Sequence, residues 1–383
     1  MTQAQEIADG ADPPSFEGGW RLGVLAPELP PESGGMSRLG SGLLDQLKDA
    51  LELVVLADRD ADPIPGTEFR AVLDRKPATA ARAMAGAPVD AWLCLNAGLA
   101  PLAGETARPF FAYCHGNDFL APWIDCGPRW IESLPRRVLR IRRRRLRQQA
   151  SVEGLRTCRR VFTNSHHTAG RLKALGVPRD LLEVAFPGIE AGFFQSQRPR
   201  ATALRLLTVS RLTRWGSRKN LDSVLEAVAE LRQEMPIEYR IVGDGDDRAR
   251  LEARSAELGV SDCVRFEGEL DETALRTAYA DSDLFLLVSR ANETDVEGFG
   301  LVYLEAAAAG VPSLCSRAGG ATDAVADGRS GFVVEGADCA DIVAGIRRFL
   351  SEGSDAAVVR EFARGFDWSR RATALAATIE SWR

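Results

Sequence analysis

Histidines are few in this sequence and paired cysteines are absent. Only three of the 383 residues are histidine, and none of the seven cysteines stands in a Cys-x-x-Cys pair. These counts argue against a structural zinc site and against a disulfide framework. Unpaired thiols suit a reducing compartment, so we expect a cytoplasmic protein without a bound metal.

Long apolar runs and an excess of basic charge are also absent. No run of about 18 apolar residues occurs, so no membrane-spanning helix is predicted. Residues 1–18 lack the basic start and apolar core of a secretory signal, and we expect them to form a disordered tail. The 48 Lys and Arg against 54 Asp and Glu give a net charge of −6, which argues against nucleic acid as a partner.

Short apolar runs alternate with segments of helical period along most of the chain, which predicts an α/β protein with parallel sheets and crossover helices. The pattern restarts after the polar stretch 195–203, so we expect two Rossmann-like doubly wound domains, at 19–195 and 196–366. We expect the last helix, at about 367–383, to pack back on the first domain. The predicted strands are 22–26, 51–57, 91–95, 110–113, 161–163 and 184–186, then 204–209, 239–242, 263–266, 284–288 and 312–315.

Ligands of such folds bind beyond the carboxyl ends of the strands, so the loops that follow the strands are the candidate sites. The loop after the first strand carries Gly34 and Gly35 ahead of a predicted helix. Two glycines there let backbone N–H groups approach an anion such as phosphate, although a plain strand–helix turn has the same appearance. The loop lacks the Gly-x-Gly-x-x-Gly fingerprint, which disfavours a dinucleotide site.

A basic loop follows the first strand of the second domain. Residues 211–219 carry four cations between that strand and the next helix. Fixed cations at a strand end suit a diphosphate, and a solvated basic turn is the alternative. The four cations are Arg211, Arg214, Arg218 and Lys219.

Two carboxylates, Glu297 and Glu305, lie eight residues apart after a strand of the second domain, with Gly298 and Gly300 between them. A carboxylate beside buried N–H groups can accept sugar or ribose hydroxyls. An ordinary helix residue and an N-terminal dipole partner are the alternatives, and composition leaves both open.

The spacing of the two carboxylates resembles the Glu-x7-Glu motif of the retaining glycosyltransferases of family 4, which have the GT-B fold. Segments such as 210–212, 241–245, 264–268 and 306–312 resemble the family too, and the resemblance covers about 20–380. It implies two Rossmann-like domains facing each other across a cleft. It also implies transfer of a hexose from a nucleotide diphosphate sugar to an acceptor hydroxyl, without a metal or other cofactor.

The segment 295–305 is nearest to the mannosyltransferases that act on phosphatidylinositol mannosides, which are peripheral membrane enzymes. GDP-mannose is therefore the expected donor, ahead of UDP-sugars. A lipid-linked glycan or an envelope polysaccharide is the expected acceptor.

The resemblance implies a role for each matching residue of the donor site. Arg211 and Lys219 would contact the donor diphosphate, although the longer loop of this chain leaves Arg214 and Arg218 open as alternatives to Lys219. Glu305 would bind the ribose hydroxyls, and Glu297 would hold the transferred sugar. The remaining expected contacts are Gly34 and Gly35 at the diphosphate, Gly268 and Leu270 at the base, Gly298, Phe299 and Gly300 at the sugar, and Leu301 and Val302 over the nucleotide.

Two residues after a strand of the first domain complete the expected site. His115 matches the cleft histidine of the family, which touches the donor sugar near O6, and a structural histidine is the alternative. Asp118 is a candidate contact of the acceptor. His166 and His167 follow the N-cap residue Ser165 and are expected at the surface.

The segment 129–147 contains nine arginines and one acidic residue. A solvated face, an anionic membrane surface and an acidic group of the acceptor are three possible reasons for it. Nucleic acid is disfavoured because no aromatic residues alternate with the arginines. On a helical wheel, one face gathers Arg136, Arg137, Arg140, Arg143, Arg144 and Arg147.

Two other functions compete with glycosyl transfer. A GT-B nucleotide-sugar epimerase would need several acid–base groups in the cleft, and three histidines are few. A non-catalytic binding partner that has kept the fold is the second alternative. Both glutamates and both expected cations are present, which argues against a loss of catalytic activity.

Overall fold

The computed structural model describes residues 20–31, 34–74, 76–120, 122, 136–194, 202–290 and 296–383, except the side chains of 136–141 and 215–217. The predicted tail and the joint at 195–196 lie outside the described residues. In the described part, no helix is long and apolar enough to cross a membrane.

The first domain is built on a seven-stranded parallel sheet with the order β3-β2-β1-β4-β5-β6-β7. Its strands are β1 (Arg21–Ala26), β2 (Glu52–Asp58), β3 (Glu68–Leu73), β4 (Ala91–Cys94), β5 (Phe110–Cys114), β6 (Arg160–Thr163) and β7 (Leu182–Val184). Its helices are α1 (Gly35–Leu47), α2 (Pro77–Ala85), α3 (Asn117–Leu120), α4 (Arg136–Thr157) and α5 (His166–Ala174), with 3-10 turns at Ala97–Glu105, Arg179–Leu181 and Ala191–Phe193.

The second domain is built on a six-stranded parallel sheet with the order β10-β9-β8-β11-β12-β13. Its strands are β8 (Leu204–Val209), β9 (Ile237–Val242), β10 (Val264–Gly268), β11 (Leu284–Leu287), β12 (Ser313–Ser316) and β13 (Gly331–Val334). A 3-10 turn at Arg214–Lys219 precedes its helices α6 (Leu221–Leu231), α7 (Arg248–Glu257), α8 (Glu272–Ala280), α9 (Leu301–Ala308), α10 (Ala321–Ala324), α11 (Cys339–Glu352) and α12 (Ala356–Arg364). The last helix of the chain is α13 (Trp368–Glu380).

The sequence pattern found the central strands and missed two strands at the sheet edges. Strands such as β4, β5 and β11 are buried at every position, because helices cover both faces of a parallel sheet, and they appear as continuous apolar runs. The edge strand β3 is mostly half-exposed and carries Glu68 and Arg70, so it lacks that signal. β13, at the edge of the other sheet, was also missed, and the edge strand predicted at 184–186 lies at 182–184.

The last helix returns to the first domain. Trp368, Leu375 and Ile379 of α13 share one buried apolar cluster with Leu39 and Leu43 of α1. Gly42 on α1 makes room for the indole, since a Cβ there would lie 2.8 Å from Trp368 Nε1. The chain therefore passes twice between the domains, before β8 and before α13.

Candidate active site

The strand ends of the two sheets face each other across a narrow cleft. The side-chain amide of Asn117, just after β5, donates to the carbonyl of Val296 at 3.2 Å and accepts from its N–H at 3.3 Å. The backbone N–H of His166 donates to Asp323 Oδ2 at 2.7 Å. A Cβ on Gly298 would lie 2.1 Å from the carbonyl oxygen of His115, so only glycine allows the two backbones to approach this closely.

Glu297 lies at the centre of a cluster of charged groups. Its Oε2 accepts from Arg218 Nη1 at 2.8 Å and from Lys219 Nζ at 2.6 Å. The residue is only 7 % exposed, and burial raises its pKa, but Lys219 and Arg218 outweigh burial and lower the pKa to about 2. The N–H of Gly320 donates to the carbonyl of Glu297 at 2.7 Å, and this bond fixes the backbone of the loop that carries Glu297. Glu297 is therefore a fixed, ionised carboxylate.

Glu305 is the second buried carboxylate of the cleft, on the second turn of α9. Its Oε1 accepts from Arg38 Nη1 of the first domain, and its Oε2 accepts from the hydroxyl of Tyr279 at 2.7 Å. Burial raises the pKa of Glu305 above its ordinary value, although Arg38 and Tyr279 act to lower it. Both oxygens thus have a partner in a residue that is 3 % exposed.

The diphosphate residues expected from the two domains come together. Gly34, at the N-cap of α1, has φ of +139°, and a Cβ there would lie 3.7 Å from the guanidinium carbon of Arg211. Arg211 is exposed, and a Cβ on the neighbouring Gly35 would meet no atom within 4 Å. An anion between these residues would meet the N-terminus of α1 and a cation.

The cations of the basic loop point in two directions. Arg218 and Lys219 turn to Glu297, whereas Arg214 is exposed, with its Nε 4.0 Å from Asp247 and its N–H bonded to Asp246. The position of Arg214 favours Arg218 and Lys219 over Arg214 as phosphate contacts. Which of them binds the phosphate stays a prediction.

His115 and Asp118 form a buried structural unit at the end of β5. The carboxylate of Asp118 accepts from the N–H groups of Ala97, His115 and Gly116 at 2.9–3.0 Å and is 1 % exposed. His115 Nε2 lies 2.8 Å from the carbonyl oxygen of Leu95, so Nε2 carries the proton and Nδ1 is left as an acceptor. This geometry favours a positioning role for Asp118 over the predicted acceptor contact, which stays a prediction.

The other expected donor contacts line the same region, but several also serve the core. Phe299 is buried, with its ring centroid 5.8 Å from that of Phe186. Leu301 packs against the apolar cluster of the first domain, while Val302 and Leu270 pack against a cluster of the second. Gly268 ends β10 with φ of +72°. Their contacts with a nucleotide stay predictions.

The side chains of the arginine-rich helix differ in exposure from residue 142 onward. Arg144 donates from Nε and Nη2 to the carbonyl of Leu120, both at 3.1 Å, and Arg143 and Arg147 are half-buried. Arg142 and Arg145 are exposed instead. The side chains of Arg136, Arg137 and Arg140 lie outside the described part of the structure. α4 packs on the 3-10 turn Ala97–Glu105, which the sequence did not predict, and the contact expected for the arginine face stays a prediction.

Reasoning from the sequence missed Arg38, Tyr279 and Asn117. All three make contacts that depend on tertiary structure, and the partners of Arg38 and Asn117 lie in the other domain. The one signal for Arg38 is its place in the first turn of the helix after Gly34 and Gly35. Among the described residues, no group of three or more His, Cys, Asp or Glu side chains is arranged to hold a metal ion.

Comparison with known proteins shows the family of the chain. The model of the family "Glycosyltransferase Family 4" matches residues 34–193, and that of "Glycosyl transferases group 1" matches residues 192–366. The GDP-mannose-dependent alpha-(1-6)-phosphatidylinositol monomannoside mannosyltransferase of Mycolicibacterium smegmatis is 30% identical over 304 residues, which is 74% of each chain. The amylovoran biosynthesis glycosyltransferase AmsK of Erwinia amylovora is 33% identical over 187 residues, 48% of this chain and 45% of that protein.

Solved structures show the same fold. The lipopolysaccharide outer core galactosyltransferase WaaB superposes with a TM-score of 0.73 at 15% identity, covering 95% of this chain and 100% of that one. Anabaena Alr3699/HepE, solved with UDP and glucose, superposes with a TM-score of 0.73 at 17% identity, covering 94% and 100%. The fold and the cleft define a GT-B glycosyltransferase. The chain belongs to the family 4 glycosyltransferases, which confirms the predicted fold class, family and enzyme class.

Proposed function

We propose that this glycosyltransferase moves a mannosyl unit from GDP-mannose to an acceptor hydroxyl and retains the anomeric configuration. The observation that carries the donor site is a pair of contacts between the domains: Arg38 bonds Glu305, and Gly34 lies beside Arg211. The mannosyltransferase relative, which matches 74% of the chain, supports GDP-mannose. Glycosyltransferase function in glycan or glycolipid synthesis is common to the relatives, and the particular acceptor follows from none of them.

In the proposed reaction the anomeric C–O bond to the diphosphate breaks, and a C–O bond to the acceptor forms on the same face of the sugar. The leaving phosphate oxygen takes the proton of the acceptor hydroxyl. Arg211 and Lys219, together with the N–H groups at the start of α1, offset the negative charge that develops on the diphosphate. Cleft closure excludes water and so limits hydrolysis of the donor.

Glu297 supports this step by its position. An ionised carboxylate that holds two cations at 2.6–2.8 Å fixes both of them at the cleft before the donor arrives. Its burial also leaves it beside the backbone of Gly298, where the transferred sugar is expected. Glu305 would accept the ribose hydroxyls, and His115 would approach the sugar through Nδ1.

The exposed arginines of α4 form a second candidate binding surface. We propose that Arg142 and Arg145 face the anionic surface from which a lipid-linked acceptor is reached. The bond from Arg144 to Leu120 supports this placement, because it fixes the helix beside the loop that carries His115 and Asp118. A solvated face and an acidic group of the acceptor are the other outcomes that a binding test would distinguish.

The test of the donor is a transfer assay with GDP-mannose, UDP-glucose and UDP-galactose, using extracted lipid and glycan fractions as acceptors. We expect GDP-mannose to be consumed fastest and the product to show an α-linked sugar by NMR. Consumption of a UDP-sugar alone would overturn the choice of nucleotide, and a β-linked product would overturn retention.

A further inference from the structure

Arg38, a residue of the first domain, contacts Glu305 in the proposed nucleotide site of the second domain. It lies on the first turn of α1, and its Nη1 donates to Glu305 Oε1 on α9, 267 residues away. Its guanidinium carbon also stands 5.5 Å from the ring centroid of Phe193. The guanidinium carbon of Arg276 lies 5.2 Å from the centroid of the same ring. The side chain of Arg38 therefore lies between the ring of Phe193 and the carboxylate of Glu305.

Glu305 depends on this contact because Arg38 is the one cation that acts on it among the residues that the structure describes. From α8 it faces the hydroxyl of Tyr279 and the carboxylate of Glu272, and from the segment before Ala191–Phe193, Glu190 stands near Arg38. Arg276 is the nearby cation of α8, and it is bonded to Glu272. Arg38 is therefore the cation that touches Glu305 directly. A buried carboxylate without such a partner is costly to keep ionised.

We propose that Arg38 is a positioning residue that completes the nucleotide-sugar site across the cleft, holding Glu305 as an oriented carboxylate for the ribose hydroxyls. This inference rests on the role of Glu305 proposed above. It makes the first domain part of the nucleotide site, so the site is complete only when the two domains are together.

The chemistry of the ribose explains why the charge matters. A ribose diol donates two hydrogen bonds, and an ionised carboxylate offers about four lone-pair sites for them, of which Arg38 and Tyr279 use two. A protonated carboxyl group loses acceptor capacity and gains a donor. Without Arg38, burial would favour the protonated form of Glu305, and protons would then compete with the nucleotide.

The test measures the affinity for GDP and for UDP by calorimetry at a series of pH values across the range in which the protein stays folded. The variants are Arg38→Met, Arg38→Lys and Glu305→Gln, with the exposed Arg82→Met on α2 as the matched control. Arg38 has a side chain that is 34 % exposed, so methionine fits there without overpacking. The lysine variant keeps the charge and so serves as a second variant if the methionine variant folds poorly.

We expect Arg38→Met to weaken nucleotide binding about ten- to a hundredfold at the acid end, the loss of one charge-assisted hydrogen bond, with recovery as the pH rises. Arg38→Lys should restore part of the affinity, and Arg82→Met should bind like the wild type. Glu305→Gln should lose affinity equally at every pH, and adding Arg38→Met to it should cost nothing more.

Each other result overturns a specific claim. If Arg38→Met binds like the wild type at every pH while Glu305→Gln binds weakly, the inference fails and the proposed site survives. If Arg38→Met binds more tightly, Arg38 obstructs the ribose and the inference fails. If Glu305→Gln binds like the wild type, or the wild type binds neither nucleotide, the proposed role of Glu305 fails, and the inference fails with it.

Discussion

The Cα of Gly298 lies against the carbonyl oxygen of His115, and the two residues belong to opposite domains. A Cβ at position 298 would stand 2.1 Å from that oxygen and 3.0 Å from Asn164 Nδ2. This contact joins the end of β5 to the loop after β11. The two domains can approach this closely because residue 298 is a glycine and has no Cβ.

Gly298→Ala should therefore impair closure more than folding. Overpacking costs about 1–3 kcal/mol, and here that cost falls on the closed cleft, which gives a loss of about five- to 150-fold in kcat/KM. The measurement is kcat/KM beside the melting temperature. Gly170→Ala on α5, where a Cβ meets no atom within 4 Å, is the control. A variant as active as the wild type would refute the tight apposition.

The pKa of Glu297 predicts how stability depends on pH. Because Lys219 and Arg218 depress the folded pKa to about 2 despite burial, the ionised carboxylate stabilises the fold above its ordinary pKa of 4.5. That contribution, on the order of 3 kcal/mol, falls away as the pH drops from 4.5 towards 2. Urea unfolding of the wild type and Glu297→Gln across this range should show two curves that converge in acid. A constant gap between them would contradict the account.

The cations of the basic loop should differ in how much each contributes to donor binding. Lys219→Met and Arg218→Met each remove a bond to Glu297 and should lower donor affinity about tenfold or more. Arg214→Met should behave nearly like the wild type, because Arg214 faces Asp247 and solvent. Titration with the nucleoside diphosphate compares the three. A larger loss in Arg214→Met would assign the phosphate to that residue.

Asp118 should matter for stability as well as activity. Asp118→Asn keeps the shape but replaces an ionised acceptor of three backbone bonds by an amide, at a cost of about 1–3 kcal/mol. The loop that carries His115 should loosen, so kcat should fall while nucleotide affinity stays near that of the wild type. A variant of unchanged stability and reduced acceptor affinity would instead support direct acceptor contact.

Membrane docking is tested on the exposed face of α4. Each exposed arginine near an anionic surface contributes about 1 kcal/mol, so Arg142→Gln with Arg145→Gln should lower partition onto phosphatidylglycerol vesicles about thirtyfold. Added salt should weaken wild-type binding in the same direction. Equal partition of the two proteins would leave α4 as a solvated or acceptor-binding face.

The sequence predicted those parts of the molecule that follow from local pattern. Buried central strands such as β5 and β11 are continuous apolar runs, and Glu297 and Glu305 stand at a recognisable spacing. The edge strand β3 was missed because half-exposed strands carry charges such as Glu68 and Arg70. The contact between Arg38 and Glu305 could not be predicted from the sequence, because hydrophobic periodicity does not relate residues of different domains.

The arginine-rich helix shows the same limit. The direction in which α4 packs is set by the 3-10 turn Ala97–Glu105 and by the bond from Arg144 to Leu120. Both features arise from tertiary contacts. The exposed residues Arg142 and Arg145 could therefore be found only from the structure.

The most direct test of the central claim is a thermal-shift panel of GDP, UDP, dTDP and ADP on the wild type and on Glu305→Ala. We expect GDP to raise the wild-type melting temperature most, since a ligand at 100 times its dissociation constant adds about 2.7 kcal/mol, and we expect the variant to lose this shift. The absence of a shift with all four nucleotides, or an equal shift in Glu305→Ala, would contradict the proposed donor site.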